Sequence, residues 1–135
     1  MAAPRIFRVI VPVDDLEASQ KFYAHVLDMS GERVSPNRHY FTCGAVILAC
    51  VQVEAHRFRP NIESFYFAVV NLEAVHKRML EAMSLGLGGE FLESDLGMIH
   101  TRPWGERSFY VRDPAGNPIC FVDSNTKFTG GRFVP

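Results

Sequence analysis

Val11-Pro12-Val13-Asp14-Asp15-Leu16-Glu17-Ala18 and Val69-Val70-Asn71-Leu72-Glu73-Ala74 are two versions of one message. Each runs from a β-branched strand end, through a residue able to cap a helix, into a leucine that opens an apolar stripe. Setting Leu16 on Leu72 aligns both strand-to-helix corners, and self-similarity of this kind reads as a duplicated module.

Working outward from the first copy, Arg5–Val13 reads as a strand, and Asp14 with Glu17 three residues on makes a helix-capping pair. Leu16, Phe22, Tyr23, Val26 and Leu27 form the stripe of a helix that fades at Asp28–Gly31. Strands follow at Glu32–Ser35, His39–Cys43 and Ala45–Val53, punctuated by Pro36-Asn37 and Gly44. The second copy repeats the order. Ser64–Val70 is a strand, Asn71 a cap, and Leu72, Val75, Met79 and Met83 share a helical face that ends at Gly86 and Gly88-Gly89. Strands at Glu90–Leu92, Arg107–Val111 and Pro118–Asp123 complete it, while Met98–Trp104 reads as a strand or an ordered loop. The predicted fold is therefore α+β, a single domain over 1–135 built of two βαβββ modules. Module one covers about 5–53, a polar linker 54–62, module two about 63–124, and a tail 125–135. One helix covers only one face of a four-stranded sheet, so the modules have a physical reason to pair.

The 135 residues, 47% apolar, suffice for one real core. Fourteen basic against fifteen acidic side chains leave a net charge of −1. That balance lacks the sustained positive field nucleic acid requires. No apolar run approaches the roughly 20 residues of a membrane span. The opening Met1–Arg5 leads into a strand, not a signal-peptide core, so the expectation is a soluble cytoplasmic protein. Cys43, Cys50 and Cys120 are odd in number and widely spaced, which reads as reduced thiols. No Ser-His-Asp set, phosphate-cradling glycine loop or HExxH helix is present.

The strand running into Val13-Asp14-Asp15-Leu16-Glu17-Ala18-Ser19-Gln20-Lys21-Phe22-Tyr23, the segment Val70–Val75, and the closing Tyr110-Val111-Arg112-Asp113-Pro114-Ala115-Gly116-Asn117-Pro118 together resemble the vicinal oxygen chelate superfamily, the glyoxalase, bleomycin-resistance and extradiol-dioxygenase group. The resemblance spans about Arg5 to Ser124. It implies paired modules curled into a cup-shaped mixed sheet with the helices on the outer face. It also implies, in the enzymes, a divalent metal held in the cup by His or Glu from four strands. Carried onto this chain, those four positions are Arg8, Leu48, Ser64 and Cys120. Arginine cannot ligate, leucine has no donor and serine is a poor one, so no metal and no cofactor is expected. A rescue through Cys120 or Cys50 with His39, His56 or His100 lacks recognisable ligand spacing.

Strand alternation from those positions puts Arg8, Ile10, Pro12, Leu48, Cys50, Gln52, Ser64, Tyr66, Ala68, Cys120 and Val122 in the cup. It puts Phe7, Val9, Val11, Val13, Ile47, Ala49, Val51, Val53, Phe65, Phe67, Val69, Ile119 and Phe121 against the helices. The cup set, mostly apolar with separated polar groups, suits a small-molecule pocket. Arg8 has two readings: an internal ion pair with Glu54, Glu63 or Glu106, or a grip on a ligand anion. Tyr66 and Gln52 are secondary ligand-orienting candidates. Trp104, in Thr101-Arg102-Pro103-Trp104-Gly105-Glu106-Arg107, is a candidate stacking wall where the family places a lid or cup edge. The Asp113–Asn117 turn reads as structural. The segment before the closing strand looks most like bleomycin-resistance proteins, metal-free antibiotic binders. The expectation is thus metal-independent binding of a small organic molecule, anionic or partly aromatic, by a homodimer whose cups the partner chain completes. The ligand-binding set is Arg8, Leu48, Cys50, Gln52, Ser64, Tyr66, Trp104 and Cys120. The alternative is a lyase, isomerase or oxidoreductase of the same fold with a rearranged metal site. Phe128 and Phe133 in the tail are either dimer contacts or disordered.

Overall fold

The computed structural model describes residues 2–130 of the 135, so the expectation for Phe133 falls outside the described residues. Their chain order is β1 (Arg8–Val13), α1 (Leu16–Leu27), β2 (Glu32–Ser35), β3 (Arg38–Cys43), β4 (Val46–Gln52), β5 (Phe65–Val69), α2 (Leu72–Ser84), β6 (Glu90–Phe91), a 3-10 turn (Ser94–Gly97), β7 (His100–Thr101), β8 (Arg107–Arg112) and β9 (Pro118–Asp123). Two mixed sheets result. The first runs β1-β4-β3-β2 with β1 parallel to β4. The second runs β5-β9-β8-β6 with β5 parallel to β9, and β7 pairs with β8. The duplicated module is real: in each copy the strand that feeds the helix pairs in parallel with the last strand.

The helices start where side-chain oxygens meet orphan amides. Asn71 accepts from Ala74 N at 3.1 Å in α2, and Asp15, not the expected Asp14, accepts from Ala18 N at 3.1 Å in α1. The reason is positional: Leu16 is the first helical residue, so the residue before it is the cap. In α2 the buried face is Leu72, Val75, Met79 and Ala82, whereas the expected Met83 is exposed.

Both modules share one core. Val11, Val13, Phe22, Tyr23, Val26, Phe41 and Leu48 form a continuous cluster with Leu72, Met79, Phe109, Val111, Ile119 and Phe121. The helices pack against each other, tied by Arg78 Nε donating to Val26 O at 3.0 Å. Gly89, at φ 83°, lets the chain pass so near that a Cβ there would lie 2.5 Å from the Phe22 ring. Asp113 in the β8–β9 turn crosses the boundary: Tyr23 donates its phenol proton to it at 2.6 Å, and Asn117 Nδ2 donates to Pro12 O at 2.7 Å.

The register of β4 corrects the expected faces. Val9 lies opposite Leu48, Val11 opposite Cys50 and Val13 opposite Gln52, so Leu48, Cys50 and Gln52 share the helix side, while Ile47, Ala49 and Val51 share the open side with Arg8, Ile10 and Pro12. The cause is loop length. Cys43 pairs with Val46 across a two-residue turn, but Arg112 pairs with Pro118 across a longer one, so counting from Gly44 and from Gly116 does not reach equivalent places. A one-residue slip moves a whole strand to the other face. Phe7, expected against the helices, precedes β1 and is exposed.

Burial pushes the Asp113 carboxyl up, and hydrogen bonds from Tyr23 and Asn117 hold it back. A carboxyl raised in the folded state contributes stability that is present below its ordinary value of 3.8 and is lost as pH rises through the raised one. Tyr23→Phe removes a donor from the buried carboxylate and should cost about 1–3 kcal/mol at neutral pH in urea unfolding, with a smaller deficit in acid once Asp113 is protonated.

Candidate functional site

The concave face of the second sheet is set by the pairing of β5, β9 and β8. Tyr66 and Tyr110 lie on either side of Cys120, and Ala68 and Ser108 on either side of Val122. The Tyr66 and Tyr110 hydroxyls meet at 3.0 Å with their rings edge to face. Burial pushes the Cys120 thiol up to about 11 and raises the Tyr110 phenol, whose bond to Tyr66 adds to the effect. At neutral pH the buried Cys120 thiol and Tyr110 phenol are therefore uncharged.

One wall is the turn between β7 and β8. Arg102 is buried and satisfied by backbone oxygens: Nη2 donates to Ser108 O at 2.8 Å and Met98 O at 2.9 Å, Nη1 donates to Asp95 O at 3.2 Å, and Nε reaches Ser108 Oγ at 3.0 Å. That guanidinium fixes the 3-10 turn and β7 onto β8. Trp104 stands beyond it, 52% exposed, its indole Nε1 donating to Glu106 Oε1 at 2.8 Å. The other Glu106 oxygen accepts from Phe128 N at 2.7 Å, so one carboxylate holds both the tryptophan loop and the start of the tail. Tyr66, Ala68, Val122, Trp104, Glu106 and Phe128 line a cavity of about 490 Å³.

The first sheet presents a different surface. Arg8 lies with its guanidinium carbon 5.0 Å from the Phe7 ring centre and 5.7 Å from that of Tyr40, its Nη1 3.5 Å from the Tyr40 hydroxyl. Arg38 Nη1 donates to the same hydroxyl at 3.0 Å. The hydrogen bond from Arg38, with both cations nearby, holds the Tyr40 phenol below its ordinary range. Glu54 instead pairs with His56, and Glu106 is engaged as above, so the internal ion pairs weighed for Arg8 are not formed with either.

Of the expected ligand-binding set, the structure gathers Tyr66, Trp104 and Cys120 on the concave side of the second sheet, with half-buried Ser64 immediately before β5. Arg8 lies on the concave side of the first sheet. Leu48 instead lines a second, apolar cavity of about 660 Å³ between the helix side of the first sheet and β5, reached also by Val9, Leu27 and Phe65. Cys50 is buried in the core with its thiol pushed up to about 12, and Gln52 Oε1 accepts from Leu16 N at 2.9 Å, supporting the start of α1. The residues that sequence reasoning missed are Tyr40, Arg38, Tyr110 and Glu106. Alternation on β3 and β8 carried the first three, because Tyr40 and Tyr110 adjoin the buried Phe41 and Phe109 and Arg38 lies two residues from Tyr40 on the same face.

A divalent ion does not fit the side chains at these places. The positions offer a guanidinium, a half-buried serine and a single buried thiol, and on β4 the concave side chains Ile47, Ala49 and Val51 carry no donor. His39, a rescue candidate, is buried with Nε2 3.0 Å from Ser30 O and Nδ1 facing Arg33. Among the described residues no three of His, Cys, Asp and Glu are grouped to hold a metal.

A model of the Glyoxalase/Bleomycin resistance protein/Dioxygenase superfamily matches residues 5–121. Among solved structures, a glyoxalase-related enzyme from Fulvimarina pelagi superposes with TM-score 0.71 at 21% identity, covering 90% of this chain and 88% of its own. A glyoxalase/bleomycin resistance protein from Albidiferax ferrireducens T118 gives 0.67 at 25% identity over 87% and 97%. A lactoylglutathione lyase from Agrobacterium tumefaciens gives 0.61 at 23% over 91% and 96%. No curated protein matches significantly.

Trp104 is the chain's single tryptophan, so its emission reports on this wall alone. Glu106→Gln keeps one acceptor but loses the charge that holds the indole and the tail together. Its emission should shift to the red with greater access to acrylamide, while urea stability changes by less than about 1 kcal/mol because the contacts are exposed.

Proposed function

Because the chain belongs to the Glyoxalase/Bleomycin resistance protein/Dioxygenase superfamily, we propose that it binds a small organic molecule, without a metal ion, in a cup that a second copy of the chain completes. The observation that carries this reading is the concave face of the second sheet. It offers an aromatic wall of Tyr66, Trp104 and Phe128 with Ala68 and Val122, flanked by the charged Glu106 and Lys127, around a cavity of about 490 Å³, with Tyr110 and Cys120 buried outside its lining. That is the size and chemistry of a pocket that excludes water from a partly aromatic compound and orients it with a few polar groups. Sequestration of an antibiotic-like molecule fits such a site, since capture needs burial and orientation but no reacting group.

The second copy is argued from the sheet edges. β1 pairs only with β4 and β5 only with β9, so each keeps an open edge within the described residues. Ile6, Phe7 and Ile10 beside the first, and Tyr66 and Val70 beside the second, are exposed. Open edges flanked by apolar side chains are surfaces that proteins cover. Pairing β1 of one chain beside β5 of another places Arg8 next to the aromatic wall. Among the described residues no helix is long and apolar enough to cross a membrane, and neither membrane nor nucleic acid enters this reading. The unpaired cysteines fit a reducing compartment, the cytoplasm.

Thermal shift and Trp104 fluorescence against a panel of aromatic compounds should return saturable binding that EDTA leaves unchanged, by protein that sediments as a dimer. One divalent ion per chain in protein purified without chelators, with binding lost on its removal, would overturn the metal-free reading in favour of a metal-assisted enzyme. A monomer in the sedimentation run would overturn the shared cup.

A further inference from the structure

Arg33, Arg102, Arg107 and Arg112 have obvious partners, while Arg5, Arg57, Arg59 and Arg78 of the described residues make no ion pair and do not converge on a shared group. Arg33 pairs with Glu17 at 2.7 Å, Arg107 with Glu73 and with Asp123, Arg112 lies within 4.0 Å of Glu90 and Glu93, and Arg102 is satisfied by carbonyls. Arg8 and Arg38 are different. Among the described residues neither has a carboxylate oxygen within 4.0 Å, and both send Nη1 to one phenol, Tyr40, at 3.5 and 3.0 Å. The backbone explains how they meet. Arg8 stands in the row of Ile47, Tyr40 in the next row opposite Ala49, and Arg38 in the row of Val51, all on the concave side of the first sheet. Ala49, the central residue, has only a methyl group, so side chains from β1 and β3 can reach across it. Glu32, which pairs with Tyr40 on β2, is the carboxylate in the adjacent column and is exposed.

Two guanidiniums held within reach of one hydroxyl, with no counter-ion, repel each other until an anion arrives. Each has further N–H groups beyond the one used on Tyr40, and the planar fork matches two oxygens of one acid group. We propose that Arg8, Arg38 and Tyr40 form an oxyanion-binding site on the concave face of the first sheet, which takes the carboxylate or phosphoryl group of the ligand. Arg8 and Arg38 supply the charge. Tyr40 sets the spacing of the two forks and turns its hydroxyl proton to the bound oxygen. This deepens the cup reading, resting on it only for the placement of the rest of the molecule against the aromatic wall.

The experiment titrates the full-length chain with benzoate, phenylphosphonate and benzyl alcohol, following arginine Nε–H signals by NMR and Trp104 by fluorescence. Benzoate or phenylphosphonate should move two arginine signals together and saturably, benzyl alcohol neither, and the arginine that Arg8→Gln or Arg38→Gln removes should be one of the pair. Each of these variants should lower affinity for the anions by about tenfold or more while leaving benzyl alcohol binding at Trp104 unchanged. Whichever of the two acids binds more tightly identifies the group. Anion binding equal in wild type and in the Arg8→Gln/Arg38→Gln double variant, with Trp104 still responding, would overturn the arginine site and leave the cup standing. Silence of both the arginine signals and Trp104 to all three compounds would overturn both.

Discussion

The proton that Tyr23 donates to Asp113 sits where the two modules meet, and the rest of the architecture hangs on that boundary. Asp113 also accepts from Ala115 N, Asn117 N and Asn117 Nδ2, while Asn117 reaches Pro12 O and accepts from Asn61 N. One turn of module two thereby grips β1, α1 and the linker of module one. Burying a carboxylate is costly, and four donors offset that cost only in one geometry. The network fixes how one module sits on the other, and the packed helices and shared core supply the apolar gain around it.

Because the modules meet through their helices, both concave faces are left looking outward, with β1 and β5 at open edges. The two faces are electrically unlike. The first sheet carries Arg8 and Arg38 around Tyr40; the second carries the Tyr66–Tyr110 hydroxyl pair over buried Cys120, with Glu106 and Lys127 beside its aromatic wall. Arg102 spends its N–H groups on carbonyls and the Ser108 hydroxyl, and its work is to make the tryptophan turn a wall instead of a loose loop.

The site was partly legible in advance. Tyr66 and Cys120 were placed on one face because the resemblance supplied Ser64 and Cys120 as starting positions and the period of two carries a face along β5 and β9, while Trp104 was picked out by its Pro-Trp-Gly stretch. β4 was not, because Val46–Val51 is apolar on both sides and alternation is silent there; Leu48, Cys50 and Gln52 were accordingly set on the wrong face. The hairpin supplies what β4 lacks: with Cys43 opposite Val46, buried Phe41 falls opposite Leu48, and Tyr40 opposite Ala49. The expected role of Asp113–Asn117 as a turn was right but incomplete, since its partners lie about a hundred residues away in the chain.

By itself the sequence determined the element order and the duplicated module, because periodicity and caps are local properties. Tertiary structure alone decided which face of β4 is open, that Arg8 and Arg38 converge on Tyr40, and that Glu106 joins the tryptophan turn to the tail. These depend on loop length and cross-strand register, which set the distance between residues far apart in the chain and which no window of neighbouring residues contains.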